Sequence, residues 1–324
     1  MPGAGFIDRL LWIFIVVFFC ASCQNSHVQN LRYGIKSVER VSLTPDLITE
    51  SDSLIGSYAL YYIDDDHLLF KFPQGFFFKS WNVKTSSVEA SFLRKGRGPG
   101  EYPSLGAPSI IHSGSGKVLM DIATNDALIT LDLYQLLSDP KGVIIDKLPF
   151  DGIAGDGIVL DAYRLADGFL CQVVGDADVY SFKLISDKKV LKSFPIPPLL
   201  DASLPENSYV SDYQLRPDKS ALVLPMYRFN RLIIIGLDDS RIKNIRTYKD
   251  DSGVYDSATC SQKYIYVVYK HKNGGQEIQV FDWDGHFIQV FELDYSLMSI
   301  AVNEDDTILY ALTTDSKLLT LRIR

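Results

Sequence analysis

At 324 residues with 47% hydrophobic content, the chain can bury a large core, either as two ordinary domains or as one large all-β unit. A formal charge of −8 and a pI near 5.2 argue against a nucleic-acid partner, whose phosphates ask for a basic face. Eighteen tyrosines and eighteen phenylalanines favour strands over helices, and no segment is low in complexity.

Leu10 to Phe19 reads LLWIFIVVFF, an uncharged run of ten residues that is too short for a permanent membrane span and suits the core of a signal peptide. Cys20-Ala21-Ser22-Cys23 follows at once. The four residues and the apolar run before them resemble the lipobox of bacterial lipoproteins. That resemblance implies a signal peptide over 1–22, cleavage before Cys23 and lipid attachment at Cys23. Two details depart from the pattern: Cys20 stands where leucine is usual, and Arg9 is offset by Asp8. The expected location is therefore the cell envelope, lipid-anchored, facing the periplasm or on the outer membrane. Residues 23–34 are polar and aperiodic, as a tether would be. Of the remaining cysteines, Cys171 and Cys260 each fall within an apolar strand of a different repeat, so both are expected as buried free thiols and no disulfide is expected.

From residue 35 onward apolar residues rarely fall at helical spacing; Tyr134 to Leu137 offers one turn at most. A four-part unit recurs instead. Its first copy runs SYALYYI from Ser57, the turn Asp64-Asp65-Asp66, HLLFKF, the turn Pro73-Gln74-Gly75, FFFKSWNV and SVEASFL. Five further copies begin near PSIIHS (Pro108), VLDAYRL (Val159), YVSDYQL (Tyr209), YDSATC (Tyr255) and LMSIAVN (Leu297), the last with only three strands. Six units of four short strands, at a period of roughly fifty residues or less, predict an all-β, six-bladed β-propeller over 35–324. The missing strand of the last blade is expected from Lys36 to Leu43, which would remove an exposed sheet edge.

The stretch Phe92 to Pro108, FLRKGRGPGEYPSLGAP, differs from its surroundings. Gly96, Gly98 and Gly100 permit unusual backbone angles, while Pro99 and Pro103 fix φ near −65°. The loop joins the outer strand of the first blade to the inner strand of the second, which brings Arg94, Arg97, Glu101 and Tyr102 into question. Either Arg97 and Glu101 form an ion pair that staples adjacent blades, or these residues line the channel mouth and meet a polar ligand. GRGPGEY followed by an apolar strand resembles the loop that marks the TolB-like six-bladed propeller lipoproteins of Bacteroidetes. That resemblance implies the fold and the lipid anchor, and it assigns no activity.

No catalytic or cofactor motif emerges. No Gly-Lys-Ser/Thr follows the glycines, the five histidines never stand at metal-ligand spacing, and Ser113 and Ser115 lack a nucleophile elbow. Asp282-Trp283-Asp284-Gly285 reads as a hairpin turn, since the twelfth position of a calcium loop is Leu293. The clusters Asp64-Asp65-Asp66 and Glu304-Asp305-Asp306 occupy the same hairpin slot of their repeats and read as solvated turns. The expected product is a monomeric binding or scaffold module for a protein or small-molecule partner, with no cofactor, metal or nucleic acid. The alternative is a lactonase-like hydrolase or glycan-cleaving enzyme whose site lies in the central channel; inner-strand polar residues such as Asp161, Tyr163, Asp212, Tyr213 and Asp256 keep it open, and three or more of them within metal-coordinating distance would favour it.

Overall fold

The computed structural model describes residues 28–33, 38–113, 116–139, 144–150, 157–175, 180–186, 189–195, 213–227, 230–248 and 252–323. Cys23, the signal segment before it and Asp212 lie outside the described residues. The chain opens with three short strands, β1 (Val28–Arg32), β2 (Glu39–Ser42) and β3 (Asp46–Glu50). Blade one then holds β4 (Ala59–Tyr62), β5 (His67–Lys71), β6 (Phe76–Asn82) and β7 (Ser87–Arg94). Blade two holds β8 (Ser109–His112), β9 (Val118–Ala123), β10 (Ala127–Asp132) and β11 (Ile144–Pro149). Blade three is β12 (Ile158–Leu165), β13 (Gly168–Val174), β14 (Tyr180–Ser186) and β15 (Lys189–Pro195). Blade four is β16 (Gln214–Leu215), β17 (Ala221–Pro225), β18 (Leu232–Gly236) and β19 (Ile242–Arg246). Blade five is β20 (Gly253–Cys260), β21 (Tyr264–His271), β22 (Gln276–Asp282) and β23 (Phe287–Glu292). Blade six contributes β24 (Leu297–Val302), β25 (Ile308–Thr313) and β26 (Lys317–Arg322).

Each blade is an antiparallel meander, and the six sheets make a six-bladed β-propeller. Burial on both faces explains the apolar runs. In β5, Leu68 and Phe70 join the core shared with blade six, while Leu69 between them joins the core shared with blade two. In β18, Leu232 and Ile234 face blade five and Ile233 and Ile235 face blade three. With neighbours on either side, alternate residues have nowhere polar to point, and the strand reads LIII. The buried residues accordingly divide into six clusters, one for each blade interface.

The structure departs from the sequence expectation in three places. Between β10 and β11 the chain forms a helix, α1 (Leu133–Ser138), longer than one turn. Its cap is Asp132, whose side chain accepts from the Gln135 N–H, and Leu133 and Leu136 bury the inner face. The fourth strand of blade six is β3, paired antiparallel to β26 through Asp46↔Thr320 to Glu50↔Lys317. Lys36–Leu43 does not take that place: within it, β2 runs parallel to β23 on the outside of blade five. Nor is the tether polar coil as far as residue 34, because β1 runs parallel to β19 on the outside of blade four, in register Val28↔Ile242 to Arg32↔Arg246. The N-terminal segment is thus a strap across the outer edges of blades four, five and six.

Charge fastens the strap. The Arg40 guanidinium on β2 binds Glu277 Oε2 at 2.7 Å and Glu292 Oε1 at 2.5 Å, and Glu277 is buried. The Tyr248 hydroxyl and the Gln279 amide donate to the other Glu277 oxygen, each at 2.7 Å. Burial alone would raise the Glu277 pKa, but these donors and Arg40 outweigh it and hold the carboxyl below its usual range. Asn244 Nδ2 donates to Asn30 Oδ1 at 2.8 Å, and Leu31 packs into the core between blades four and five.

Candidate functional site

All six inner strands run the same way along the channel, so the hairpins that follow them gather around one mouth. There a cavity of about 350 Å³ opens, lined by residues of all six inner strands, β4, β8, β12, β16, β20 and β24. Its first wall is aromatic and acidic. The Tyr62 ring lies between His112 and Tyr310, with centroids 6.1 Å away on both sides, and its hydroxyl donates to Asp65 Oδ1 at 2.8 Å. His112 Nδ1 meets Glu304 Oε1 at 2.7 Å, joining blades two and six across the mouth. The acidic turns of blades one and six are neighbours here. Asp64 accepts from the Tyr134 hydroxyl of α1 and from the backbone N–H groups of Asp66 and His67. Burial, reinforced by the bond to Asp64, pushes the Tyr134 phenol up to about 12, and burial beside Asp65 raises Tyr62 further.

The opposite wall is polar. Thr259, Cys260, Ser261 and Gln262 of blade five and Gln214 of blade four present hydroxyls, a thiol and amides. Two cations, Arg216 and Lys219, line the cavity as well, each tied to a backbone carbonyl. The Arg216 guanidinium donates to the Gln262 carbonyl and lies 5.5 Å from the Trp283 ring centroid, while Lys219 Nζ donates to the Arg164 carbonyl at 2.6 Å. Burial pushes the thiols of Cys260 and Cys171 up to about 12, so both are protonated and inert near neutrality. Both are free, with Cys171 buried and Cys260 half-buried against the cavity. A polar molecule with one aromatic end fits such a pair of walls.

Of the inner-strand polar groups, Asp161, Tyr163 and Tyr213 come together and Asp256 stands apart. Asp161 accepts from the Ala107 N–H, Asp256 pairs with Lys270, and Tyr213 is buried beside Asp161 and Tyr163 with its phenol raised by that burial. Among the described residues no group of three or more His, Cys, Asp and Glu side chains stands close enough to hold a metal ion.

The glycine-rich loop lies elsewhere. Leaving β7 at the outer edge of blade one, it folds back so that Tyr102 N–H donates to the Arg94 carbonyl and Gly96 N–H to the Tyr102 carbonyl. The Glu101 carboxylate is at the centre: one oxygen accepts from Gly98 N–H at 2.9 Å and the other meets Arg94 Nε at 3.5 Å. A Cβ on Gly96 would overlap that carboxylate, and Gly100 turns the chain at φ +74°. Tyr102 packs on the core between blades one and two. The partner of Glu101 is therefore Arg94 and not Arg97, which is exposed and makes no ion pair with a described residue. The contact is internal to one loop and staples no blades. Nor do Arg94, Arg97, Glu101 and Tyr102 line the channel-mouth cavity, because the loop sits on the opposite face of the disc.

Stapling falls to the next few residues, which sequence reasoning did not single out. The buried Lys71 ammonium of blade one donates to the carbonyls of Leu105 at 3.3 Å and Gly106 at 2.7 Å. Asp161 of blade three holds the Ala107 N–H, and a Cβ on Gly106 would collide with its carboxylate. This segment ties blades one, two and three together. The one signal in the sequence was a lysine in the otherwise apolar run HLLFKF.

The fold and the two channel mouths define a six-bladed β-propeller. No family model matches the chain, and neither does any curated protein. Among solved structures it is similar to a member of the DUF4221 family from Bacteroides vulgatus, at 12% identity and TM-score 0.56, over 87% of this chain and 98% of that one. A Bacteroides fragilis protein described as exported matches at 13% identity and TM-score 0.53, over 92% of this chain and 99% of that one. The β-propeller domain of Cps50 (Swd1) from Myceliophthora thermophila gives 14% identity and TM-score 0.52, over 87% and 100%. At these identities the likeness speaks for the fold alone. No described helix is long and apolar enough to cross a membrane.

Proposed function

We propose that the chain is an exported propeller, lipid-anchored at Cys23, that acts as a binding module and takes a small polar ligand or the tip of a protein partner at the channel mouth. The observation that carries the binding site is the cavity of about 350 Å³ lined by all six inner strands, with an aromatic–acidic wall facing an amide–hydroxyl wall that also holds Arg216 and Lys219. Its lining is fixed by a rigid scaffold, as a recognition surface requires. Export and anchoring rest on the apolar run Leu10–Phe19 and Ala21-Ser22-Cys23, supported by the likeness to a Bacteroides protein described as exported.

Ile111 lines the cavity, is half-buried and belongs to no core cluster, so Ile111→Trp fills the mouth without opening a void. The test is thermal unfolding of the parent and of Ile111→Trp against a library of sugars, amino acids, amines and short peptides. Compounds that raise the parent's melting temperature and leave Ile111→Trp unmoved support the site. Compounds that stabilise both equally overturn it.

A further inference from the structure

We infer that the outer edge of blade four is held against the bilayer, with blade one, directly across the ring, pointing away from it. The inference rests on lipidation of Cys23 as proposed above, and what it adds comes from where β1 begins. β1 is in register with β19 from Val28↔Ile242 onward, so Val28 sits at the hairpin joining β18 to β19. Only Gln24, Asn25, Ser26 and His27 separate it from Cys23. Five Cα steps span at most about 18 Å even when fully extended. Four strands about 4.8 Å apart make each blade roughly 15 Å wide, so two opposed blades and the channel between them span more than about 30 Å. A leash that short cannot let the disc turn over; the hairpin of blade four stays near the headgroups.

Charge favours the same orientation. At that edge two of the acids have basic partners: Arg241 Nε lies 3.2 Å from Asp239 Oδ2, and Lys243 Nζ 3.1 Å from Asp284 Oδ1. The acidic turns Asp64–Asp66 and Glu304–Asp305 belong to blades one and six. On a chain of net charge −8, an anionic leaflet repels the side with three consecutive aspartates more than the edge where Arg241 and Lys243 stand. The glycine-rich loop on blade one is thereby presented away from the membrane.

The experiment uses the full-length protein, purified from a lipoprotein-processing host and reconstituted into phosphatidylethanolamine–phosphatidylglycerol vesicles that carry a headgroup-quenching lipid. A fluorophore is attached at Asp238→Cys, in the blade-four hairpin, or at Thr85→Cys, in the equivalent hairpin of blade one, each in a chain that carries Cys171→Ser and Cys260→Ser. Most of the fluorescence at 238 should be lost and little at 85, and inserting a long Gly/Ser segment between His27 and Val28 should abolish the difference. Equal quenching at both positions, or stronger quenching at 85, with an acylated N-terminal peptide overturns the orientation alone. A peptide without acyl mass overturns the orientation and the lipid anchor together. A difference that survives the insertion overturns the short leash as its cause.

Discussion

Glu101 organises its loop by accepting from Gly98 N–H and meeting Arg94, so substitutions should rank by what they take from that carboxylate. Glu101→Ala should lower stability by about 1 kcal/mol, mostly through the lost charge-assisted bond to Gly98, whereas Arg94→Ala should cost under about 1 kcal/mol because Arg94 is exposed. Arg97→Ala should leave the melting temperature unchanged. Gly100→Ala should cost about 1 kcal/mol, since φ +74° is strained for a residue with a Cβ. Thermal melts of the four variants check the order, and a large loss in Arg97→Ala would contradict it. The composition of the loop was legible in the sequence, but its pairing was not: Arg94 and Arg97 flank the turn, and only the backbone path decides which one Glu101 meets. Glu277 is a second residue with a measurable signature. Its carboxyl is held below the usual range in the folded state, so the stability it contributes is present above the ordinary glutamate value of about 4.3 and is lost as pH falls through the lower folded value. Melting temperatures from pH 7 down to pH 3 should fall less steeply in Glu277→Gln than in the parent; equal slopes would remove Glu277 from the acid response.

At the scale of elements the strap decides most. Val41 and Leu43 pack into the core between blades five and six, and Leu31 and Tyr33 into the one between blades four and five, so each crossing buries apolar surface as well as hydrogen-bonding an edge. Removing residues up to 45 should lower the melting temperature but keep a cooperative transition, because β3 remains on β26. Removing residues up to 50 also uncovers the edge of blade six, and it should abolish cooperative unfolding or cause aggregation. Differential scanning calorimetry separates the two; identical melts would show that β3 adds nothing. Arg40→Ala should cost about 2 kcal/mol by leaving the buried Glu277 without its cation. The strap was hard to read because β1 and β2 are four or five residues long, largely exposed, and added in parallel to finished blades. Such strands need neither alternation nor a turn before them, so they leave no periodic mark. The segment Lys36–Leu43 looked like the missing strand for its apolar residues, yet the register that completes blade six begins at Asp46.

For the whole molecule, six blades were visible from the repeat because burial on two faces writes unbroken apolar runs such as LIII and ALVL between turn residues. The site was not visible in the same way. Tyr62, His112, Gln262 and Glu304 line one cavity only because the ring brings the first and last blades side by side, and nothing local marks them. Each also reads as an ordinary strand-end or turn residue, whereas the glycine-rich loop, the most conspicuous motif, lies on the other face. The proposed ligand is taken at the mouth where the inner strands end. Hydrogen–deuterium exchange, followed by mass spectrometry with and without a compound that stabilises the parent, tests it most directly. Added protection is expected in peptides spanning Tyr62–Asp66, Ile110–His112, Thr259–Gln262 and Val302–Glu304, with Gly96–Tyr102 unchanged. Protection confined to Gly96–Tyr102, with the inner-strand ends unchanged, would contradict it.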